Sequence, residues 1–289
     1  MSATALPLSG AIGAEFTGVN LSGSLDNATF AAIHDTFVAR SVLVFRGQDL
    51  SPDAQLAFSS LFGPPETHVL ESFALPNNPH VFVVSNVKEQ GKPKGAIRAG
   101  QYWHTDCSYM EQPTMASFLH AREVPASGGD TMFASLTAAY DALSAPMRSL
   151  LDGLDAVHDY TYAYETYFSR FPDRPPLKPE EIAQVPPVTH PVVRVHPESG
   201  RRVLFISPGF TRRIVGLEYE ESRALLDFLC AHVTRPDFIY RHRWQAGDLV
   251  MWDNRAALHF AVADYDMDEP RHMHRTSAAG DRPRGVSAA

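Results

Sequence analysis

With 289 residues and 44% hydrophobic residues, the chain is long enough for a full core and fits one large domain or two small ones. A formal net charge of −8 speaks against a nucleic-acid partner, which a basic face would serve. Two distant cysteines, Cys107 and Cys230, speak against a disulfide framework, and no apolar run reaches the roughly 18 residues of a membrane span.

The start "MSATALPLSGAIGAEF" lacks a basic segment followed by an apolar one, so no signal peptide and a cytoplasmic location are expected. "GAEFTGVNL" reads as a short strand and turn. Phe30, Ile33, Phe37 and Val38 carry helical spacing, which predicts a helix over 27–40 with Asn27 as its N-cap. "SVLVFRG" is a short apolar strand closed by Gly47. Ser51 and Pro52, a cap followed by proline at the first helical position, open a helix in "SPDAQLAFSSLFG". "HVFVVSNV" (80–87) is another strand. Segment 88–102 is rich in Gly and Lys without an apolar period. It reads as a mobile loop, either a basic lid (Lys88, Lys92, Lys94, Arg98) over an acidic substrate or a solvated charged loop. "SLTAAYDALSAPMRSLLDGL" predicts one or two helices.

The stretch from about 160 to 187 is rich in Pro and aromatics and too long for an ordinary connection, so it reads as an insertion covering something. Strands follow in "HPVVRVHPESGRRVLFIS", a helix in "EYEESRALLDFLCAHVTR", and further strands in "FIYRHRWQAGDLVMWDN" and "PRHMHRTSAAG". Ser199-Gly200 and Ala246-Gly247-Asp248 read as hairpin turns. Many short strands flanked by helices predict a mainly β fold, a double-sheet jelly roll. No linker separates two self-sufficient halves, so a single domain over 1–289 is expected.

His104 and Asp106, in "YWHTD", would point the same way from a strand and aim an imidazole and a carboxylate at one place. Alone, such a pair is more often an ordinary surface feature. His259, in "WDNRAALHFA" after the strand "DLVMWDN", is the candidate third ligand, turned inward at the strand end. Two histidines and a carboxylate suit a non-haem Fe(II) centre with open positions for a co-substrate and O2, although a zinc hydrolase uses the same ligand types. In "PRHMHRTSAAGD", Arg271, Met273 and Arg275 share one strand face, and His272 and His274 take the other. That argues against these two histidines as ligands. The arginines suit an anion at the cavity, or a surface pair bridged to acids.

"YWHTD", "PASGGDTMF", "HPVVRVHPESGRRVLFI", "RHRWQAGDLVMWDNRAALH" and "RHMHRTSAAGD" occur in order. Over about residues 8–284 the chain resembles the TauD/TfdA family of Fe(II)- and 2-oxoglutarate-dependent dioxygenases. The resemblance implies a double-stranded β-helix, with His104, Asp106 and His259 as iron ligands. It implies that Thr131 hydrogen-bonds the 2-oxoglutarate, that Arg271 pairs with its distal carboxylate, and that Arg275 meets a substrate anion. A carboxylate at Asp106 implies hydroxylation rather than halogenation.

His68, Phe210 and Tyr164 match substrate-site positions, while Glu71 and Gly100 depart from the taurine-acting pattern. Tyr102 and Tyr109 flank the His-x-Asp as pocket walls or as core. The implied reaction hydroxylates a C–H bond of a small anionic substrate, a sulfonate such as taurine or an aryloxy or alkyl carboxylate. It consumes O2 and releases succinate and CO2. The alternatives are an amino-acid-like or secondary-metabolite substrate, a jelly-roll binding protein without catalysis, and a zinc hydrolase working without O2. No nucleic-acid or membrane partner is expected, and a homo-oligomer, dimer or tetramer, is.

Overall fold

In the strand Val42–Phe45, Val42 and Val44 enter one buried cluster and Leu43 and Phe45 enter another. Leu249–Asp253 and Ala116–Glu123 repeat the alternation. Val250, Trp252, Leu119 and Ala121 face one side, and Leu249, Met251, Ala116 and Phe118 face the other. Successive side chains of a strand point to opposite faces, so a sheet covered on both sides needs apolar residues at every position. The uninterrupted runs "VLVF" and "LVMW" have that origin.

These strands lie within the larger sheet of a computed structural model that describes residues 3–67, 71–170 and 177–286. Its eight strands run in the order Thr4–Pro7, Ala14–Thr17, Val42–Phe45, Leu249–Asp253, Ala116–Glu123, His272–Ala278, Asn78–Ser85, Ala74–Leu75. A second sheet orders Ile239–His242, Thr131–Ser135 and Ala257–Ala261. Phe133 and Ala257 of this smaller sheet join Val44, Trp252 and Met273 of the larger one in a shared cluster, so the two sheets pack face to face. The ring centroids of Phe133 and Trp252 are 5.6 Å apart across that interface.

Helices close the outer faces. Asn27–Arg40 and Pro52–Ser59 cover the large sheet through Ile33, Phe37 and Phe58. Leu136–Asp141 and Tyr219–Val233 cover the small sheet through Leu136, Leu229 and Val233, against Ala134 and Leu258. The result is the mainly β jelly roll with flanking helices that the strand pattern predicts. No helix among the described residues is long and apolar enough to cross a membrane.

Local differences from the sequence expectation have identifiable causes. The helix starting at Asn27 is capped one residue earlier, where Asp26 Oδ1 accepts from Thr29 N at 2.7 Å. Ser51 caps the next helix as expected, accepting from Ala54 N at 3.1 Å ahead of Pro52. Gly200 turns a hairpin between Val193–Val195 and Arg202–Leu204. The turn at Gly247 does not make a hairpin, because the strands it joins, Ile239–His242 and Leu249–Asp253, belong to different sheets. Asp248 staples this crossover, its Oδ2 taking hydrogen bonds from Gln245 N at 2.8 Å and from His242 Nε2 at 3.1 Å.

Segment 88–102, expected as a loop, contains the short hairpin Lys88–Glu89/Lys92–Pro93. It is tied down where Ala96 N donates to Val83 O at 2.9 Å and Ser85 N to Ala96 O at 3.2 Å. The stretch from 160 to 187 carries the helices Tyr160–Thr166 and Pro179–Gln184.

Candidate active site

His104 and His259 are neighbours in an isolated antiparallel bridge: His104 N donates to His259 O at 3.1 Å and His259 N to His104 O at 2.8 Å. His259 sits in the middle of the strand Ala257–Ala261 rather than at a strand end. Asp106 does not share a strand with His104; the bridge is followed directly by a turn that contains Asp106. The same-face placement expected from strand periodicity therefore arises from a bridge and a turn. The two imidazole centroids are 4.0 Å apart. His104 Nε2 lies 3.8 Å from Asp106 Oδ1, and His259 Nε2 lies 3.9 Å from Asp106 Oδ2. One potential ligand atom from each residue falls within 4.8 Å of the others, and all three residues are buried.

The protonation states suit a cation. His104 Nδ1 lies 2.8 Å from Tyr102 O, and a carbonyl only accepts, so the ring proton resides on Nδ1 and Nε2 keeps its lone pair. Burial holds His104 below its ordinary value and His259 well below, so both stay neutral at pH 7. Burial alone would raise the Asp106 carboxyl. The Arg275 guanidinium, with a hydrogen bond from Ser117, instead holds it well below the usual carboxylate range. Two neutral imidazoles and one carboxylate are the donor set of a first-row divalent metal, and these residues fit one. Burial pushes the neighbouring Cys107 thiol up to about 11, so a thiolate plays no part here.

The triad opens into a cavity of about 1020 Å³. Thr131, Arg271 and Arg275 line the same cavity. Thr131 is buried, and its Oγ1 accepts from Trp244 Nε1 at 3.0 Å. Arg271 comes one residue before the strand His272–Ala278, and its Nε donates to Gly129 O at 3.2 Å. Burial depresses its pKa against the pull of Tyr265 and Asp130, and Asp130 is already paired with Arg241 at 2.6 Å. A buried guanidinium without an ion pair among the described residues suits a bound carboxylate. Arg275 Nη1 donates to Asp106 Oδ1 at 3.2 Å, and its guanidinium lies over the Phe82 ring at 5.1 Å. Met273 enters the cluster between the sheets, while His272 and His274 lie on the other face, as the alternation predicts.

Aromatic rings wall the cavity. Tyr102, Tyr109 and Phe210 form one buried cluster with Phe168, and Tyr164 packs against it. Tyr102 and Tyr109 thus serve as wall and as core at once. The Phe210 ring is 6.1 Å from His104 and 4.8 Å from Tyr109. Gly100 has φ +75°, and a Cβ there would come within 3.1 Å of His104 Cε1, so a side chain at this position would press on the imidazole. His68 lies outside the described residues.

Two polar residues of the site carry no sequence signal as such. Ser117 Oγ donates to Asp106 Oδ2 at 2.6 Å, and Asn254 Oδ1 accepts from Asp106 N at 3.1 Å. Asn254 stands inside the motif "MWDNRAALH", whereas Ser117 is a lone serine at the buried start of the strand Ala116–Glu123.

Comparison with known proteins agrees with this geometry. The profile of the "Taurine catabolism dioxygenase TauD, TfdA family" matches residues 4–277. The chain is 42% identical, over 97% of its length and 90% of the relative's, to an alpha-ketoglutarate-dependent sulfate ester dioxygenase of Pseudomonas putida. It is 38% identical, over 97% of its length and 99% of the relative's, to an alpha-ketoglutarate-dependent 2,4-dichlorophenoxyacetate dioxygenase of Cupriavidus pinatubonensis. A crystal structure of a taurine dioxygenase from Burkholderia xenovorans superposes with a TM-score of 0.83 at 38% identity, covering 100% of this chain and 95% of that one.

Proposed function

The chain belongs to the TauD, TfdA family of dioxygenases, and from that premise we propose a 2-oxoglutarate-dependent, Fe(II)-containing dioxygenase that hydroxylates a C–H bond of a small organic anion. The observation that carries this reading is the convergence of His104, Asp106 and His259 in the lining of a cavity that also holds Arg271 and Arg275. His104, Asp106 and His259 are the proposed iron ligands. Iron with 2-oxoglutarate and O2 supplies the oxidising power, with succinate and CO2 as co-products. Arg271 and Thr131 bind the distal carboxylate of 2-oxoglutarate. Arg275 receives the anionic group of the substrate, and Tyr102, Tyr164 and Phe210 exclude water from its apolar body.

The relatives named above favour a sulfate ester, a sulfonate or an aryloxyalkanoate as substrate. When the hydroxylated carbon bears sulfate, sulfite or aryloxide, the hydroxyl product collapses to a carbonyl compound and releases that anion. We read the chain as a single cytoplasmic domain in which segment 88–102 covers the cavity.

The test is O2 uptake and succinate release with Fe(II) and 2-oxoglutarate, screened over alkyl sulfates, sulfonates, aryloxyalkanoates and amino-acid derivatives. At least one anion should drive stoichiometric succinate formation, and His104→Ala should lower the rate by about 1000-fold or more, beyond the second-shell losses known at metal sites. Turnover that continues without O2 would sink the reading in favour of a hydrolase.

A further inference from the structure

Each of the three converging side chains is held by a different device. His104 is fixed through Tyr102 O. His259 packs against the rings of Trp252 at 4.7 Å and Phe133 at 6.4 Å. Asp106 lies in a turn with no strand ladder to orient it, so its carboxylate depends on side-chain contacts. There are two. Arg275 meets Oδ1 at 3.2 Å from the cavity side, and Ser117 meets Oδ2 at 2.6 Å from inside the large sheet.

The direction of the Ser117 bond is set by its surroundings. Asn254 Oδ1 accepts from Asp106 N at 3.1 Å and from Trp252 Nε1 at 3.1 Å, while the Thr105 hydroxyl donates to Asn254 O at 2.7 Å. An amide whose oxygen meets an N–H of the backbone and one of an indole has its orientation fixed, because those groups only donate. Its other end, Nδ2, therefore donates to Ser117 Oγ at 3.0 Å. With that lone pair occupied, the single hydroxyl proton of Ser117 goes to the carboxylate, which when ionised only accepts. Asn254 thus grips residue 106 twice, through its backbone N–H and, by way of Ser117, through its side chain. Ser117 and Asn254 are buried at 0% and 1% exposure, which strengthens these bonds.

We propose that Ser117, directed by Asn254, is a positioning residue that holds the Asp106 carboxylate in its metal-binding orientation. The proposal rests on the reading of Asp106 as a metal ligand. Its consequence is a division of labour between the two oxygens of Asp106. Arg275 is free to leave Oδ1 for a substrate anion, because Ser117 keeps Oδ2 in place.

The test uses the full chain and a metal alone: Mn(II) affinity by calorimetry, and the absorption bands of bound Co(II). Ser117→Ala should weaken Mn(II) binding by about 10- to 100-fold, the usual loss when an outer-shell partner is removed, and shift the Co(II) bands. Ser117→Thr keeps the hydroxyl and should stay within about threefold of the parent. Thermal unfolding of the metal-free forms checks that both variants fold. Ser117→Ala binding Mn(II) as tightly as the parent overturns the proposal and leaves the ligand reading intact. Ser117→Thr as weak as Ser117→Ala also overturns it, since the loss then belongs to packing. A parent protein that binds neither metal removes the ligand reading, and this proposal with it.

Discussion

The floor and the mouth of the one cavity are built from different material. The floor consists of strands and their immediate ends: His104 and His259 in a backbone bridge, Thr131 at a strand start, Arg271 and Arg275 on one face of His272–Ala278 and the residue before it. The mouth consists of the hairpin at 88–93, the backbone up to Gly100, and the short helices Tyr160–Thr166 and Pro179–Gln184. Floor residues are buried, Arg275 partly so, whereas Lys88, Arg98, Lys178 and Glu181 at the mouth are exposed. A sheet fixes positions through its ladders, and changing one strand disturbs its neighbours. A loop or short helix is changed at little cost to the rest. The difference teaches that the sheets fix the groups of the floor, while side chains at the rim can change without disturbing them.

The largest effect that bears on this contrast is expected at Arg271. Truncating one partner of a buried charge pair costs about 2–5 kcal/mol, so Arg271→Ala should weaken 2-oxoglutarate binding by about 30-fold or more. Calorimetric titration of 2-oxoglutarate into the Mn(II)-loaded protein measures it. The Mn(II) affinity itself should hardly move. A loss of 2-oxoglutarate affinity below about threefold, far less than a buried pair implies, would break the assignment of the floor.

The same contrast explains what could be read from the sequence. The sheets were legible because "VLVF" and "LVMW" are apolar at every position and because Arg271, Met273 and Arg275 alternate with His272 and His274. Period-two reasoning needs no knowledge of the partner strand. The bridge between His104 and His259 was not legible, since pairing between residues so distant in sequence follows from the whole topology. For the same reason the turn at Gly247 looked like a hairpin and proved to be a crossing between sheets. Ser117 was invisible because a serine at a strand start looks alike whether or not a carboxylate waits above it. The rim was least legible: Gly, Lys, Pro and aromatic residues set no period, and the order they adopt depends on the floor beneath.

A second, smaller effect tests how firmly the floor is supported from behind. His274 faces away from the cavity and packs near His272, Arg122, His120 and Lys94, with Glu123 opposite His272. Burial, aided by those cationic neighbours, lowers His274 to about 4 from an ordinary 6.5. The folded state then binds fewer protons than the unfolded chain between these values. Its contribution to stability is fully present above pH 6.5 and is lost as pH falls towards 4. After allowance for solvent screening the loss should be about 2 kcal/mol. Urea unfolding at several pH values across this window measures it, and His274→Gln should flatten the profile. An unchanged slope in that variant would assign the acid sensitivity to other groups.

The smallest effect, and the sharpest for the contrast, is expected at the mouth. The Tyr164 and Phe168 rings meet edge-on at 5.4 Å, and both line the cavity. An aromatic contact of this kind contributes about 0.5–1.5 kcal/mol beyond its buried area, so Tyr164→Ala should raise the substrate KM by about two- to tenfold. Because the ring stands at the mouth, kcat and the affinities for metal and 2-oxoglutarate should stay where they are. The order of preference among substrates should change, with bulkier anions losing least because they fill the space the ring leaves. The decisive measurement is the ratio of kcat/KM for a short and a long alkyl sulfate in the parent and the variant. A shift in that ratio with constant 2-oxoglutarate affinity separates mouth from floor. A parallel fall in kcat for both substrates would mean that the rim helps to align the reacting carbon, and the two regions would then have to be treated as one.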